Sequence, residues 1–252
     1  MKGFVPLLKK EIREQLKLYR LVIVGGIFVF FGISDPIMLK YLPEILKMAG
    51  SGQMVIQMPA PTAAQSLAEY ATNIGQIGVL VTVLVAMGCI ANELKSGTAV
   101  MTLSKPVSRS AFVSAKLLAM SMTFLVAMIL GSIFCFGYTV WLIQGAAVMP
   151  FVGLNLLLGL FLVFCLAVTL FFSSLYKSGL AAGGLAIGVI IVQAIISTIP
   201  VVGNFMPGKL LSWGTNLLTG ASNNYWWAVG ITIVAIGMCL YFAQRFLKNR
   251  DL

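Results

Sequence analysis

Phe151-Val-Gly-Leu-Asn-Leu-Leu-Leu-Gly-Leu-Phe-Leu-Val-Phe-Cys-Leu-Ala-Val-Thr-Leu-Phe-Phe-Ser-Ser-Leu-Tyr176 runs without one charged side chain, and Lys177 ends it. A helix needs roughly 20 mostly apolar residues to cross a bilayer. This stretch supplies them, so it reads as a transmembrane helix followed by a tight turn. Five further segments have the same character: Leu21 to about Leu39, Ile74–Asn92, Ala111–Ile143, Ser178–Ile199 and Tyr225–Ala243. The expected fold is an all-α membrane protein with six transmembrane helices in one domain, residues 1–252.

Composition agrees. The chain of 252 residues is 60% hydrophobic and 10% charged, with mean hydropathy +1.00. An average soluble domain has about 45–50% apolar and about 25% charged residues. The net charge of +10, from 17 Lys and Arg against 7 Asp and Glu, raises nucleic acid as a partner. No basic stripe with interleaved aromatics supports that partner. Cytoplasmic loops of membrane proteins collect Lys and Arg, which explains the excess. Cys89, Cys135, Cys165 and Cys239 all lie in apolar segments and read as packing residues, not as a disulfide or metal framework. The chain has no histidine, so the commonest metal ligand and general base is missing. A Ser-His-Asp or Cys-His arrangement is therefore impossible.

Residues 2–20 are charged and periodic. At helical spacing Phe4, Val5, Leu8, Ile12, Leu16 and Tyr19 share one face, and Lys2, Lys9, Lys10, Arg13, Glu14, Lys17 and Arg20 share the other. That pattern predicts an amphipathic helix lying in the membrane interface. Glu11 and Glu14 are expected to balance its Lys and Arg. Ser34-Asp35-Pro36 interrupts the first span, with Asp35 suited to cap a new helix that has Pro36 at its first position. The span is expected to end or kink there. Residues 40–62 read as an external loop with one short helix. Thr62 and Gln65 have the form of a capping box that starts the helix leading into the second span.

Residues 93–110 cannot lie in lipid. Glu93, Lys95, Lys105 and Arg109 would each cost about 2.5–3.5 kcal/mol at mid-bilayer. Ser108 is placed to cap the third span. Gly145 and Pro150 mark a short external turn. Residues 200–224 carry Pro200, Gly203, Pro207, Gly208, Gly214 and Gly220, and predict a re-entrant or external helical element before the last span. Trp226 and Trp227 belong at the external interface. Fourteen Lys and Arg fall in the segments this topology puts in the cytoplasm, against Lys40, Lys47 and Lys209 outside. Both termini are therefore expected in the cytoplasm. In the fifth span Gly179–Gly183 and Gly184–Gly188 are small-residue pairs that suit either a dimer contact or packing within the chain.

Gly203-Asn-Phe-Met-Pro-Gly208-Lys209 has the spacing of a phosphate-binding loop, but Leu210 stands where Ser or Thr would hold Mg²⁺, and no strand precedes it. The chain is expected to have no nucleotide site. Intramembrane charge, the mark of an ion relay, is nearly absent, with Asp35 the exception.

The informative loop is Glu93-Leu-Lys-Ser-Gly97-Thr98-Ala-Val-Met-Thr-Leu103-Ser104-Lys105-Pro106-Val107-Ser-Arg109, with Lys116 beyond it. A Glu ending the second span, then Gly-Thr, then Leu-Ser-x-Pro-Val-x-Arg resembles the signature of type-2 ABC transporter permeases. The basic helix over residues 1–20 resembles that family's elbow helix. The resemblance implies an exporter subunit with no catalytic site of its own, in a bacterial-type plasma membrane. It implies a separate ATPase subunit that holds ATP and Mg²⁺, and a second permease subunit, identical or not. The 93–110 loop would couple to the ATPase through Glu93, Lys95, Gly97, Thr98, Leu103, Lys105, Pro106 and Arg109. Arg13 or Lys17 of the elbow would pair with Glu93. The substrate path would run between spans 2 and 5, with Gln76, Thr82, Met87, Gln193 and Ser197 as candidates. The rival reading from the residues is a stand-alone secondary carrier or channel. An intramembrane enzyme is the weakest reading, for want of a nucleophile–base pair.

Overall fold

The computed structural model describes residues 3–49, 60–98, 104, 108–221 and 224–248. Every regular element among them is helical, and six helices or stacked helices are long and apolar enough to cross a membrane.

Helix α1 (Phe4–Lys17) is the amphipathic N-terminal helix. Tyr19, with φ 54, turns the chain into α2 (Arg20–Ala49). The span does not end at Asp35-Pro36. Pro36 and Pro43 both lie inside one continuous helix, and residues 40–49 are helical, not loop. Proline costs the helix an N–H bond, but α2 packs along most of a long partner helix, and Asp35 spends its carboxylate on Asn73 instead of on a cap.

The second span also begins earlier than the hydropathy suggests. Thr62 accepts from the N–H of Gln65 while the Gln65 side chain accepts from the N–H of Thr62, closing the capping box. Helix α3 (Ala63–Asn73) follows, then a π-helical turn over Ile74–Gly78, α4 (Val79–Ala86), a break at residues 87–90, and α5 (Ala91–Ser96). Together they form one spanning unit, Ala63–Ser96.

Ser108 caps α6 (Arg109–Leu142), its hydroxyl accepting from Ala111 N–H at 3.2 Å. Next come α7 (Val148–Leu175) and α8 (Gly179–Ile196), the latter capped by Ser178. The Pro- and Gly-bearing segment holds a 3₁₀ turn (Val202–Phe205) and α9 (Lys209–Thr219). Helix α10 (Trp226–Lys248) ends the described chain and runs five residues past the expected Ala243, to Lys248.

Two packing relations organise the bundle. Helices α2 and α6 cross at Gly32 and Gly131. A Cβ on Gly32 would overlap the Gly131 carbonyl, and one on Gly131 would meet the Phe28 carbonyl at 2.7 Å. Only backbones without side chains approach so closely. Helix α7 is central: 72% of its apolar window is buried, and it touches α4, α6, α8, α9 and α10. Helix α9 lies across its N-terminal end, burying Leu210 and Trp213 and setting Gly214 against Leu154. The windows of α8 and α10 are only 28% and 17% buried, so lipid or another chain faces most of their surface.

Candidate functional site

The described ion pairs all gather at one end of the bundle, where α1, α5 and α6 meet. The face that α1 buries is Leu7, Glu11 and Gln15, spaced one turn apart. Val5, Leu16 and Tyr19, from the apolar face, are exposed toward where lipid would be. Glu11 and Gln15 thus turn inward beside Leu7, while part of the apolar face stays exposed, an arrangement that suits an interfacial helix resting on a polar patch of its own protein.

That patch is Lys116. It sits on the second turn of α6 and is 1% exposed. Its Nζ donates to Glu11 at 3.1 and 3.0 Å and to Glu93 of α5 at 2.7 Å. The Phe112 ring lies 5.0 Å away. One ammonium therefore ties three helices together, and each carboxylate offsets the cost of burying it. Lys10 adds a second cation, 3.3 Å from Glu11, 3.5 Å from Glu14 and 3.9 Å from Glu93. Partial burial lowers the Lys10 pKa, but Glu11, Glu93 and Glu14 outweigh that and hold it above the ordinary lysine value. The carboxylates of Glu11, Glu14 and Glu93 come within 4.8 Å of one another, close enough to hold a metal ion. The two lysines already supply positive charge there, so the arrangement reads as an ion-pair network.

The structure reassigns two expected pairings. Glu93 meets Lys116 and Lys10, not Arg13 or Lys17, which are exposed and form no ion pair among the described residues. Arg13 and Lys17 lie on the exposed part of α1, away from the face that buries Glu11. Glu11 does more than balance its own helix: its main partner is Lys116, on another one.

The segment from Glu93 onward is anchored at both ends. Above it, the break at residues 87–90 exposes backbone N–H groups at the start of α5. Ser173 of α7, fully buried, accepts from Ile90 N–H and Ala91 N–H, both at 3.0 Å. Helix α8 closes the other side: a Cβ on Gly179 would meet Gly88 Cα at 3.2 Å, and one on Gly183 would meet Met87 Sδ at 2.8 Å. Below it, Gly97 ends α5 at φ +73, a conformation that costs an L side chain about 1–2 kcal/mol. Lys95 and Thr98 are exposed there, and Thr98 bonds Ser96 at 2.9 Å. Leu103, Lys105 and Pro106 lie outside the described residues. Arg109, at the first turn of α6, donates to the carbonyls of Leu247 and Lys248 at 2.5 and 2.7 Å. Those carbonyls are the unpaired acceptors at the negative end of α10.

Two open basic cavities flank this segment. One, of about 340 Å³, is lined by Arg20, Lys95, Lys177 and the Met87–Gly88 break. The other, of about 880 Å³, is lined by Ser108, Arg109, Gln244, Arg245 and Lys248.

The five candidates for a substrate path do not form one cluster. Gln76 is exposed on the π-helical turn. Thr82 is buried and donates to Gly78 of its own helix. Met87 packs on Gly183. Gln193 is buried with both amide atoms unpartnered, and Ser197 bonds Ala194 O; both lie against Gly208. The two glycine pairs of α8 also separate: Gly179 and Gly183 pack within the chain, whereas Gly184 and Gly188 have nothing within 4 Å. Sequence reasoning missed Glu11, Lys116 and Ser173 as site residues. For Lys116 a signal existed, since a lysine inside an apolar helix calls for a buried acid.

The profile of the ABC-2 family transporter proteins matches residues 5–213. The chain is also 23% identical, over 248 residues and 96% of each chain, to an uncharacterized transmembrane protein, YxlG, of Bacillus subtilis (strain 168). The matched region runs from the second residue of the N-terminal helix to the middle of α9 and takes in the whole of α2 through α8: this chain belongs to the ABC-2 family of membrane transporter proteins.

Proposed function

We propose that this chain is the permease subunit of an ATP-driven exporter in a plasma membrane. Both termini face the cytoplasm, a second permease subunit completes the path, and a separate ATPase binds ATP and Mg²⁺. The observation that carries this reading is the Lys116 ammonium held between Glu11 of α1 and Glu93 of α5. Force applied to the segment after Glu93 reaches α1 and α6 through one buried ion-pair network, and reaches α4 through the break at residues 87–90. The exposed basic groups beside it, Lys95, Lys177 and Arg245, suit an acidic protein surface. The family supports an ATPase partner, because its members are membrane subunits without catalytic sites.

The test is co-reconstitution with the partner ATPase in liposomes. Glu93→Ala and Arg109→Ala should each lower transport while ATP hydrolysis continues. Unchanged transport in both variants would overturn the coupling role. A stand-alone carrier or channel is the competing reading, and Asp35, a buried acid within a span, is the observation on its side. Ion flux from liposomes that hold this chain alone, without ATP, would favour it.

A further inference from the structure

The acidic residues in the described part of this basic chain fall into two groups. Glu11, Glu14 and Glu93 are paired with lysines at the base. Asp35, Glu44 and Glu69 lie on α2 and α3 toward the opposite end, and none of them makes an ion pair among the described residues. Between those two helices is a cavity of about 370 Å³, lined by Leu39, Leu42 and Pro43 of α2 and by Gln65, Glu69 and Thr72 of α3.

On α2, Asp35, Leu39 and Leu42 follow one another at helical spacing on one face; on α3, Glu69 and Asn73 do the same. The Asp35–Asn73 contact, Nδ2 donating to Oδ1 at 3.0 Å, therefore stands just beyond the cavity's lining, one turn from Leu39 on α2 and next to Thr72 on α3. Asp35 is only 7% exposed, and its second oxygen, Oδ2, is buried with no hydrogen-bond partner. Glu69, exposed at the mouth, is within electrostatic reach of it. A buried carboxylate with a vacant oxygen, no lysine or arginine paired with it and a second carboxylate at the entrance is costly to keep charged, and it readily takes up a proton or another positive charge. The nearest lysine on the same helix, Lys40, is turned away to the Leu142 carbonyl at 2.9 Å.

We propose that the α2–α3 wedge binds the positive group of an amphipathic cation, with Asp35 as its deep counter-ion and Glu69 as the outer one. Leu39, Leu42 and Pro43 take the apolar body. With the orientation argued under Proposed function, the wedge opens to the external side, so it serves as a binding site for the transported molecule or its exit. It names a substrate class for that reading and rests on it only for the word external.

The test needs no ATPase. The full chain is placed in nanodiscs of phosphatidylcholine, and tetraphenylphosphonium binding is measured by equilibrium dialysis against empty nanodiscs. The wild type should bind it saturably. Asp35→Asn, which keeps the bond to Asn73, should weaken binding by about tenfold or more, the loss of one charged contact. Glu69→Gln, at an exposed position, should weaken it less, and triphenylphosphine oxide, a neutral molecule of similar bulk, should compete far less well. Equal affinity in wild type and both variants, or equally strong competition by the neutral phosphine oxide, would overturn the site and leave Asp35–Asn73 a structural polar pair only. Binding that survives while ATP-coupled transport fails would instead count against the exporter reading and keep the site.

Discussion

Replacing Lys116 with Met keeps the length of the side chain and removes its charge. Glu11, 1% exposed, then loses its 3.0 and 3.1 Å contacts, and Glu93 loses its 2.7 Å one. Breaking one side of a buried ion pair costs about 3–5 kcal/mol. Lys10 remains 3.3 Å from Glu11 and is itself half exposed, so it offsets part of the loss. The expected cost is about 3 kcal/mol, roughly a hundredfold in the folding equilibrium. Equilibrium unfolding in mixed micelles measures it. The stricter test combines Lys116→Met with Glu11→Gln and Glu93→Gln. Neutral amides no longer need the ammonium, so the triple variant should recover at least half of the loss, a coupling that double-mutant logic reads directly. The reasoning fails if Lys116→Met stays within about 1 kcal/mol of wild type, the scale of an exposed pair, or if the triple variant is no more stable than the single one.

Ser173→Ala should strip the cap from Ile90 and Ala91 and cost about 1–2 kcal/mol. Hydrogen exchange at those two amides should quicken, while exchange at the core of α7 should not. Gly97→Ala should cost about 1 kcal/mol because its φ is +73, and Gly97→Asn should cost less; equal stability of the two variants would point away from a backbone effect.

The spans were legible because lipid imposes a simple rule on composition, and the caps because they are local. Thr62 with Gln65, Ser108 and Ser178 each satisfy an N–H within three residues, so a short window of sequence contains the whole interaction. That α2 does not end at Asp35-Pro36 was hidden for the same reason: the short window contains a good cap and a helix breaker, and omits α6, which packs along α2. Residues 93–109 were legible as a special loop from their charges and family pattern. Their partners were not. Glu11, Glu93 and Lys116 are brought together only when α1 folds back onto α6, across 105 residues in one case. Arg13 and Lys17 were reasonable guesses by charge, but the register of α1 turns Glu11 inward and those two outward. Ser173, one hydroxyl in an apolar run, gave no sign that it caps a helix in another span.

The helices of this bundle differ in length, and that has a consequence for the membranes in which it can work. At about 1.5 Å per residue, the 34 residues of α6 reach well past a hydrocarbon core about 30 Å thick. The 18 residues of α8 measure about 27 Å. Its first turn is pinned to Gly88, so it cannot slide toward the base, and its other end runs straight into the bend at Val201. A thicker bilayer therefore acts first on α8, drawing the 3₁₀ turn and α9 toward the acyl chains at a modest cost per ångström. Lipid chain length becomes a control on this protein, applied through its shortest span.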